Sequence, residues 1–206
     1  MYAKGEHNYR NDALEQKIKT IKSYLQKCNS TVLWDLGANT GVFSRIASES
    51  GPRVIAFDQD PYCVEANYLQ TKEATPNILP LVLNISNPTP AIGWENQERR
   101  SLLQRASADT VMALALIHHL AIANNLPLPT LASFFAKVCQ WLIIEFVPKE
   151  DSMVQLLLTN RDDIFPDYNI EAFRHEFSRF FSIESWDRLP SSKRHLFLMR
   201  RRMVSL

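Results

Sequence analysis

The sequence predicts a doubly wound α/β domain: a seven-stranded, mostly parallel sheet, helices on both faces, and an antiparallel hairpin at its end. Three observations predict it. Short apolar runs of strand character alternate five times with segments of helical periodicity, which implies parallel strands joined by helical crossovers. The first of these runs, VLWDL, ends in Asp-Leu and leads into a glycine loop and a helical segment, GANTGVFSRIA. The last two runs are adjacent, with only a proline turn between them, as in a hairpin.

Each element has its own signal. Between Asp12 and Gln26 the apolar residues Leu14, Ile18, Ile21 and Leu25 fall on one helical face, with Lys and Gln opposite and Asp12 as the expected N-cap. Thr31–Leu36 reads as a buried strand and Gly41–Ser50 as a helix, punctuated by Gly51-Pro52. Arg53–Phe57 is the second strand. Pro61–Lys72 is a helix with proline in its first turn. Asn77–Leu83 is a third strand, followed by a polar insertion with a helix expected at Glu95–Arg105. Thr110–Leu114 and Trp141–Phe146 are the fourth and fifth strands, separated by a helix at Leu131–Gln140. Helices are expected at Asp151–Asn160 and Ile170–Phe180, and Phe181–Arg188 and His195–Arg201 flank the turn Pro190-Ser191-Ser192. No repeat, low-complexity tract or linker divides the chain. A segment and helix over 1–30 are expected to pack on a single domain over 31–206.

Composition narrows the function. Hydrophobic residues make up 46% and charged residues 22% of 206, as in an ordinary globular domain with one core. A net charge of +1 gives no electrostatic case for a nucleic-acid partner. The densest basic cluster, Arg200-Arg201-Arg202, reads as a solvated tail. Cys28, Cys63 and Cys139 are odd in number and far apart, which disfavours a disulfide framework or a zinc site and fits a reducing cytoplasm. No apolar run approaches the roughly 18 residues of a membrane span. The N-terminus, MYAKGEHNYRND, has no signal-peptide character, and it begins without an element of its own, as the later part of a longer protein would.

The loop Asp35-Leu36-Gly37-Ala38-Asn39-Thr40-Gly41 stands where doubly wound sheets bind ligands, at the carboxyl end of the first strand. Gly37 and Gly41 permit a tight turn and close approach of a ligand. The N–H groups opening the next helix point toward that place. A phosphate-binding P-loop would need Lys after the last glycine, and Val42 stands there. A dinucleotide fingerprint starting at Gly37 would need glycines where Asn39 and Val42 stand. Asp58, at the end of the second strand, is placed to accept both ribose hydroxyls. Its rival Asp60 precedes Pro61 and reads as a helix cap. Together the two signals indicate a nucleoside-type ligand, and the glycine spacing disfavours NAD.

The pattern D-x-G-x-[GN]-x-G resembles motif I of the class I S-adenosylmethionine-dependent methyltransferases, with Asn39 where a middle glycine often stands. The resemblance runs from about Val32 to Arg201, because the seven-strand order of that family ends in such a hairpin. It implies S-adenosylmethionine as cofactor, held by Gly37, Ala38, Asn39, Thr40 and Gly41, by Asp58 with Gln59, and by Asp35, which would orient the loop or the methionine amine. It places Asn84, where Asp is usual, and Ile85 at the adenine. Ala115, within Ala113–Leu116, would flank the adenine or the methionine part through backbone and apolar contacts. The segments GWENQERRSLLQR, ALALIHHL and EFVPKEDSMVQLLLTNRDDIFPDY look like a narrower group, bacterial methyltransferase-domain proteins related to nodulation proteins, typically longer at the N-terminus.

Methyl transfer is an in-line displacement, so the protein mainly aligns the nucleophile and excludes water. A nearby base helps an amine or hydroxyl acceptor. His118 and His119 follow the fourth strand. Adjacent helical residues diverge by about 100°, so only one is expected to line the site, His118 rather than His119, with a capping or packing role as the equal alternative. Glu145 ends a strongly apolar strand. Burying it unpaired would be costly, so it either faces the cleft, binding or deprotonating the acceptor, or pairs with an Arg or Lys. Asn160–Asn169, rich in acids and carrying Phe165 and Tyr168, is either a cap that attracts a cationic acceptor or a solvated helix end. Gly5–Asp12 would close over the cofactor through His7, Tyr9 or Asn11, or else be a loose end. Trp94 with Arg99 and Arg100 would bind an aromatic or anionic acceptor, but packing of the insertion on the sheet edge is preferred. Phe173, Phe177 and Phe180 are core. ALALIHH lacks the [DN]-P-P-[YFW] of enzymes that methylate base amines or glutamine.

The expected function is therefore methyl transfer from S-adenosylmethionine to an O or N atom of a small or medium-sized acceptor, without a metal. An RNA or protein methyltransferase with its recognition part elsewhere and a non-catalytic methyltransferase-like binding module are the alternatives. An NAD oxidoreductase is a poor third.

Overall fold

The computed structural model describes residues 11–72, 77–105, 107–159 and 161–202, with Asn11 and Asp12 described by backbone only. Strands β1 (Val32–Leu36), β2 (Arg53–Asp58), β3 (Ile78–Val82), β4 (Ala108–Ala113), β5 (Cys139–Phe146), β6 (Phe181–Arg188) and β7 (His195–Arg201) form one sheet in the order β3-β2-β1-β4-β5-β7-β6. The first five pair in parallel. β7 inserts between β5 and β6, antiparallel to both. The order reverses between β1 and β4, so the loops leaving those strands part and open a crevice at the carboxyl edge.

The helices are α1 (Asn11–Cys28), α2 (Val42–Ser48), α3 (Pro61–Thr71), α4 (Leu102–Arg105), α5 (Leu128–Val138), α6 (Ser152–Leu158) and α7 (Ile170–Ser178). Alternation along the strands divides the core in two. Trp34, Leu36, Phe57 and Phe146 pack on one face with Phe135, Phe173 and Phe177 of α5 and α7. Leu33, Val54, Met112 and Ile143 pack on the other with Ile21 and Leu25 of α1. Full burial of each such side chain contributes about 1.5–3 kcal/mol. As expected, Asp60 caps α3, accepting from the Tyr62 N–H at 2.9 Å.

Four local expectations are corrected. Asp12 lies within α1 rather than capping it. The buried face of α1 is Ala13, Lys17, Thr20, Ile21, Tyr24, Leu25 and Cys28, with Leu14 and Ile18 only half-buried. The helix is turned because Lys17 reaches the buried Glu145 and the buried Tyr24 donates to Asp187 at the edge of the sheet. The expected helix at Glu95–Arg105 is a single 3₁₀ turn, Trp94–Asn96, followed by the four-residue α4. Positive φ at Gly93, Glu95 and Asn96 is incompatible with a continuous helix. From this insertion Leu102 enters the core, whereas Trp94 is 79% exposed and does not pack on the sheet. Finally, His119–Ala123 form a π-helical turn that no sequence signal announced.

Candidate functional site

The loop after β1 is built around three residues with positive φ: Gly37 at 73°, Asn39 at 50° and Gly41 at 77°. The Gly37 and Ala38 N–H groups both donate to the Phe57 carbonyl, at 2.8 and 2.9 Å, tying the loop to β2. The Gly41 N–H closes the turn on the Ala38 carbonyl at 2.9 Å. Inside the loop, the Thr40 N–H donates to Asn39 Oδ1 at 2.7 Å, and Arg45 donates to the Thr40 carbonyl at 2.9 Å. A Cβ on Gly41 would lie 2.0 Å from Asn67 Oδ1, so α3 packs directly on this glycine. Asp35 is buried beneath and accepts from the Ser44 hydroxyl at 2.6 Å. Burial raises its pKa to about 6, against the Ser44 hydrogen bond, which favours the charged form.

Asp58 holds the rim of this loop. Its Oδ2 accepts from the Asn39 N–H at 2.7 Å and its Oδ1 from the Asp60 N–H at 2.9 Å. A carboxylate offers about four acceptor directions, so each oxygen can accept once more. Gln59 is exposed beside it. After β3, the exposed Asn84 caps its own turn: its Oδ1 accepts from the Ser86 N–H and hydroxyl at 3.0 and 2.7 Å. Ile85 is half-buried against the core. After β4, Ala115 has φ 49°, a conformation costly for a residue with a side chain and frequent at ligand sites. The sheet order thus brings the 37–41 loop, Asp58, Gln59, Asn84, Ile85 and Ala115 to one carboxyl edge, on adjacent strands.

The second part of the site lies at the ends of β4 and β5. The His118 and His119 ring centroids are 4.3 Å apart, so the expected divergence of the two rings is replaced by a tilted stack. They nonetheless face different groups. His119, half-buried, senses the charge of Asp58. His118 is buried within electrostatic range of Arg194, Glu145 and Asp151, and its Nδ1 has no hydrogen-bond partner among the described residues. Burial first, and then the neighbouring His119, push its pKa down to about 3, so the imidazole is neutral at pH 7.

Glu145 is fully buried and paired, the structural alternative named for it. Lys17 Nζ lies 2.6 Å from its Oε2, and Arg194 Nη1 lies 3.5 Å from its Oε1. Arg194 also grips Asp151 with two hydrogen bonds, at 2.7 and 3.0 Å, while Asp151 caps α6. Lys17 and Arg194 belong to no motif of the sequence. One signal was available for Lys17: it falls four residues after Ala13 and four before Ile21, a cation in an apolar stripe. None existed for Arg194, because β7 reaches β5 only through the strand order.

The remaining candidates are scattered. In the 160–169 segment, Asp163 pairs with Lys149 at 2.7 Å and Tyr168 is buried, donating to the Val147 carbonyl at 2.8 Å. Asp162 and Asp167 face solvent. Phe173 and Phe177 are core, with Phe180 at its margin. The basic cluster is not a tail: Arg200 and Arg201 end β7, and although all three arginines are exposed, Arg201 donates to the Ala136 carbonyl and Arg202 to those of Ser178 and Phe181. Among the described residues no group of His, Cys, Asp and Glu could hold a metal, and no helix is long and apolar enough to cross a membrane. His7 and Tyr9 lie outside the described residues, as does the side chain of Asn11.

No family model matches the chain. It is 39% identical over 198 residues to nodulation protein NoeA of Rhizobium meliloti (strain 1021), a likeness that covers 96% of this chain but 42% of that protein's length. Among solved structures, the magnesium protoporphyrin IX methyltransferase of Synechocystis PCC 6803 with bound S-adenosylhomocysteine superposes with a TM-score of 0.66 at 16% identity, covering 98% of this chain and 91% of that one. The N-methyltransferase NodS of Bradyrhizobium japonicum WM9 superposes with a TM-score of 0.63 at 11% identity, covering 93% and 97%. By its strand order and by these likenesses, the chain has the Rossmann-like fold of the class I S-adenosylmethionine-dependent methyltransferases.

Proposed function

We propose that the chain binds S-adenosylmethionine over the 37–41 loop and transfers its methyl group to an O or N atom of a small or medium-sized acceptor. The observation that carries this reading is the coupling of Asp58 to the loop: the carboxylate placed for the ribose hydroxyls also fixes the Asn39 N–H, at 2.7 Å. The exposed Gly37 and Asn39, the free acceptor directions of Asp58 and the left-handed backbone at Ala115 fit an adenosine with an amino-acid tail. Asn84, whose Oδ1 is engaged by Ser86, would offer its amide N–H groups to the ring nitrogens of the base. When bound, the cofactor supplies an electrophilic methyl on a good leaving group, so the chain's own residues need only orient and desolvate the acceptor. His118 is suited to that task through its unpartnered Nδ1. With a pKa near 3 it holds a hydrogen bond rather than storing a proton. Glu145, clasped by two cations, organises the acceptor end instead of acting as the base.

Calorimetric titration with S-adenosylmethionine, S-adenosylhomocysteine and NAD tests the cofactor. Micromolar binding of the first two, no binding of NAD, and at least a tenfold loss in Asp58→Ala are expected, since one charge-assisted pair is worth about 1.5–3 kcal/mol. Binding that survives in Asp58→Ala removes the ribose assignment. The burial of Glu145 in ion pairs also suits a second reading, a binding module without turnover. Binding of S-adenosylmethionine, with no methyl transfer to any amine, hydroxyl or carboxyl acceptor in a broad screen, favours it.

A further inference from the structure

The pair between Lys17 and Glu145 is a poor choice if its task is only to hold α1 on the sheet. Apolar residues of similar volume stabilise such a seam as well or better, and Ile21 and Leu25 already do so one and two turns further on. The position of Lys17 points to another task. Its ammonium is buried 4.7 Å from the ring centroid of Phe43, two residues after Gly41, and its charge acts on Asp35 below the loop. One cation therefore stands between the loop that receives the cofactor and the carboxylate at the end of β5. Glu145, for its part, keeps a second cation nearby, Arg194, which Asp151 holds in place.

We propose that Lys17 is shared between two carboxylates: it pairs with Glu145 when the loop is empty and with the carboxylate of the cofactor's amino-acid end when the loop is filled. This rests on the reading of the 37–41 loop as the S-adenosylmethionine site. A cation is what that end of the ligand needs, because its carboxylate would otherwise be buried uncompensated. Glu145 is then the internal competitor of the cofactor. Filling the loop frees Glu145 from Lys17, so the acceptor end is rearranged only after the cofactor has arrived.

The sign of one effect separates this from a merely structural pair. S-adenosylhomocysteine and 5′-methylthioadenosine share the adenosine and the thioether, and only the first carries the amino-acid end. Both are titrated calorimetrically into wild type, Lys17→Met and Glu145→Gln. Lys17→Met should weaken S-adenosylhomocysteine about tenfold or more, and Glu145→Gln should tighten it about threefold. Neither should move 5′-methylthioadenosine by more than about twofold. If both variants weaken S-adenosylhomocysteine, or if the two ligands shift together, the sharing is overturned. The double variant Lys17→Met/Glu145→Gln leaves no unpaired charge on either partner and carries the test where a single variant does not fold. It should lose affinity for S-adenosylhomocysteine alone, and an unchanged or parallel response overturns the proposal. Wild type that binds neither ligand overturns the cofactor reading and this proposal with it. Wild type that binds both, with parallel shifts in the variants, overturns only the sharing.

Discussion

At the scale of single residues, the two loop glycines are not equivalent. Both have positive φ, so a side chain at either strains the backbone by about 1 kcal/mol or more. They differ in what the new Cβ meets. At Gly37 it would approach the flexible end of Leu116 at 3.1 Å, which can shift. At Gly41 it would fall within 2.0–2.5 Å of the buried Asn67 amide, which α3 holds in place. Gly41→Ala is therefore expected to lose about 2–3 kcal/mol and Gly37→Ala about 1 kcal/mol in urea unfolding. Equal losses would mean that Asn67 yields and that the loop is less firmly backed than its packing indicates.

At the scale of elements, the seam between α1, β5 and β7 is electrostatic at its centre. Arg194 joins the end of β5 to the cap of α6 through Glu145 and Asp151. Truncating it leaves two carboxylates short of a counter-charge in a water-poor place. Arg194→Leu should cost about 3 kcal/mol, the usual price of breaking a buried pair from one side. Lys22→Ala removes the ion pair with Glu49 on the exposed side of α1, where both partners are well solvated. It should change stability by less than about 0.5 kcal/mol. Chemical denaturation of both variants checks the contrast; similar losses would place the Arg194 network in solvent rather than in the core.

At the scale of the whole molecule, two buried groups give stability opposite dependences on pH. The unfolded chain protonates His118 near its ordinary 6.5, but the folded protein does so only near 3. Between these values the unfolded state holds more protons, so stability is full above pH 6.5 and falls by up to about 1.4 kcal/mol per pH unit on acidification. Asp35 acts in the reverse sense. Its folded pKa of about 6 lies above the ordinary 3.8, so the folded state holds the extra proton between them and stability falls as pH rises through that window. From about pH 4 to 6 the two slopes offset each other. His118→Gln should leave a protein that gains stability, relative to wild type, as pH falls from 6.5 toward 4, and Asp35→Asn one that loses it more steeply. Urea unfolding at pH 4.5, 5.5 and 7 reads both differences, and parallel curves for the three proteins would contradict the burial assigned to these side chains.

Much of this molecule is determined by local sequence. Strand and helix periodicity, the Asp60 cap and the glycine loop fix the elements, because they depend on neighbours a few residues apart. The acidic residue at the end of β2 is legible for the same reason: in a parallel sheet, chain order and spatial order agree near the first crossover. What the tertiary structure alone decided is how distant charges meet. By its sequence Glu145 reads first as a cleft residue and second as a structural partner; its pairing is decided by the strand order, which carries Arg194 alongside it, and by the turn of α1, which brings in Lys17, 128 residues away in the chain. The buried face of α1 departs from its apolar stripe because an amphipathic pattern records apolarity, whereas a buried lysine is admitted by its partner. The π-helical turn at His119–Ala123 likewise has no local code. Burial and pairing are properties of the assembled core, and no window along the chain contains both members of these pairs.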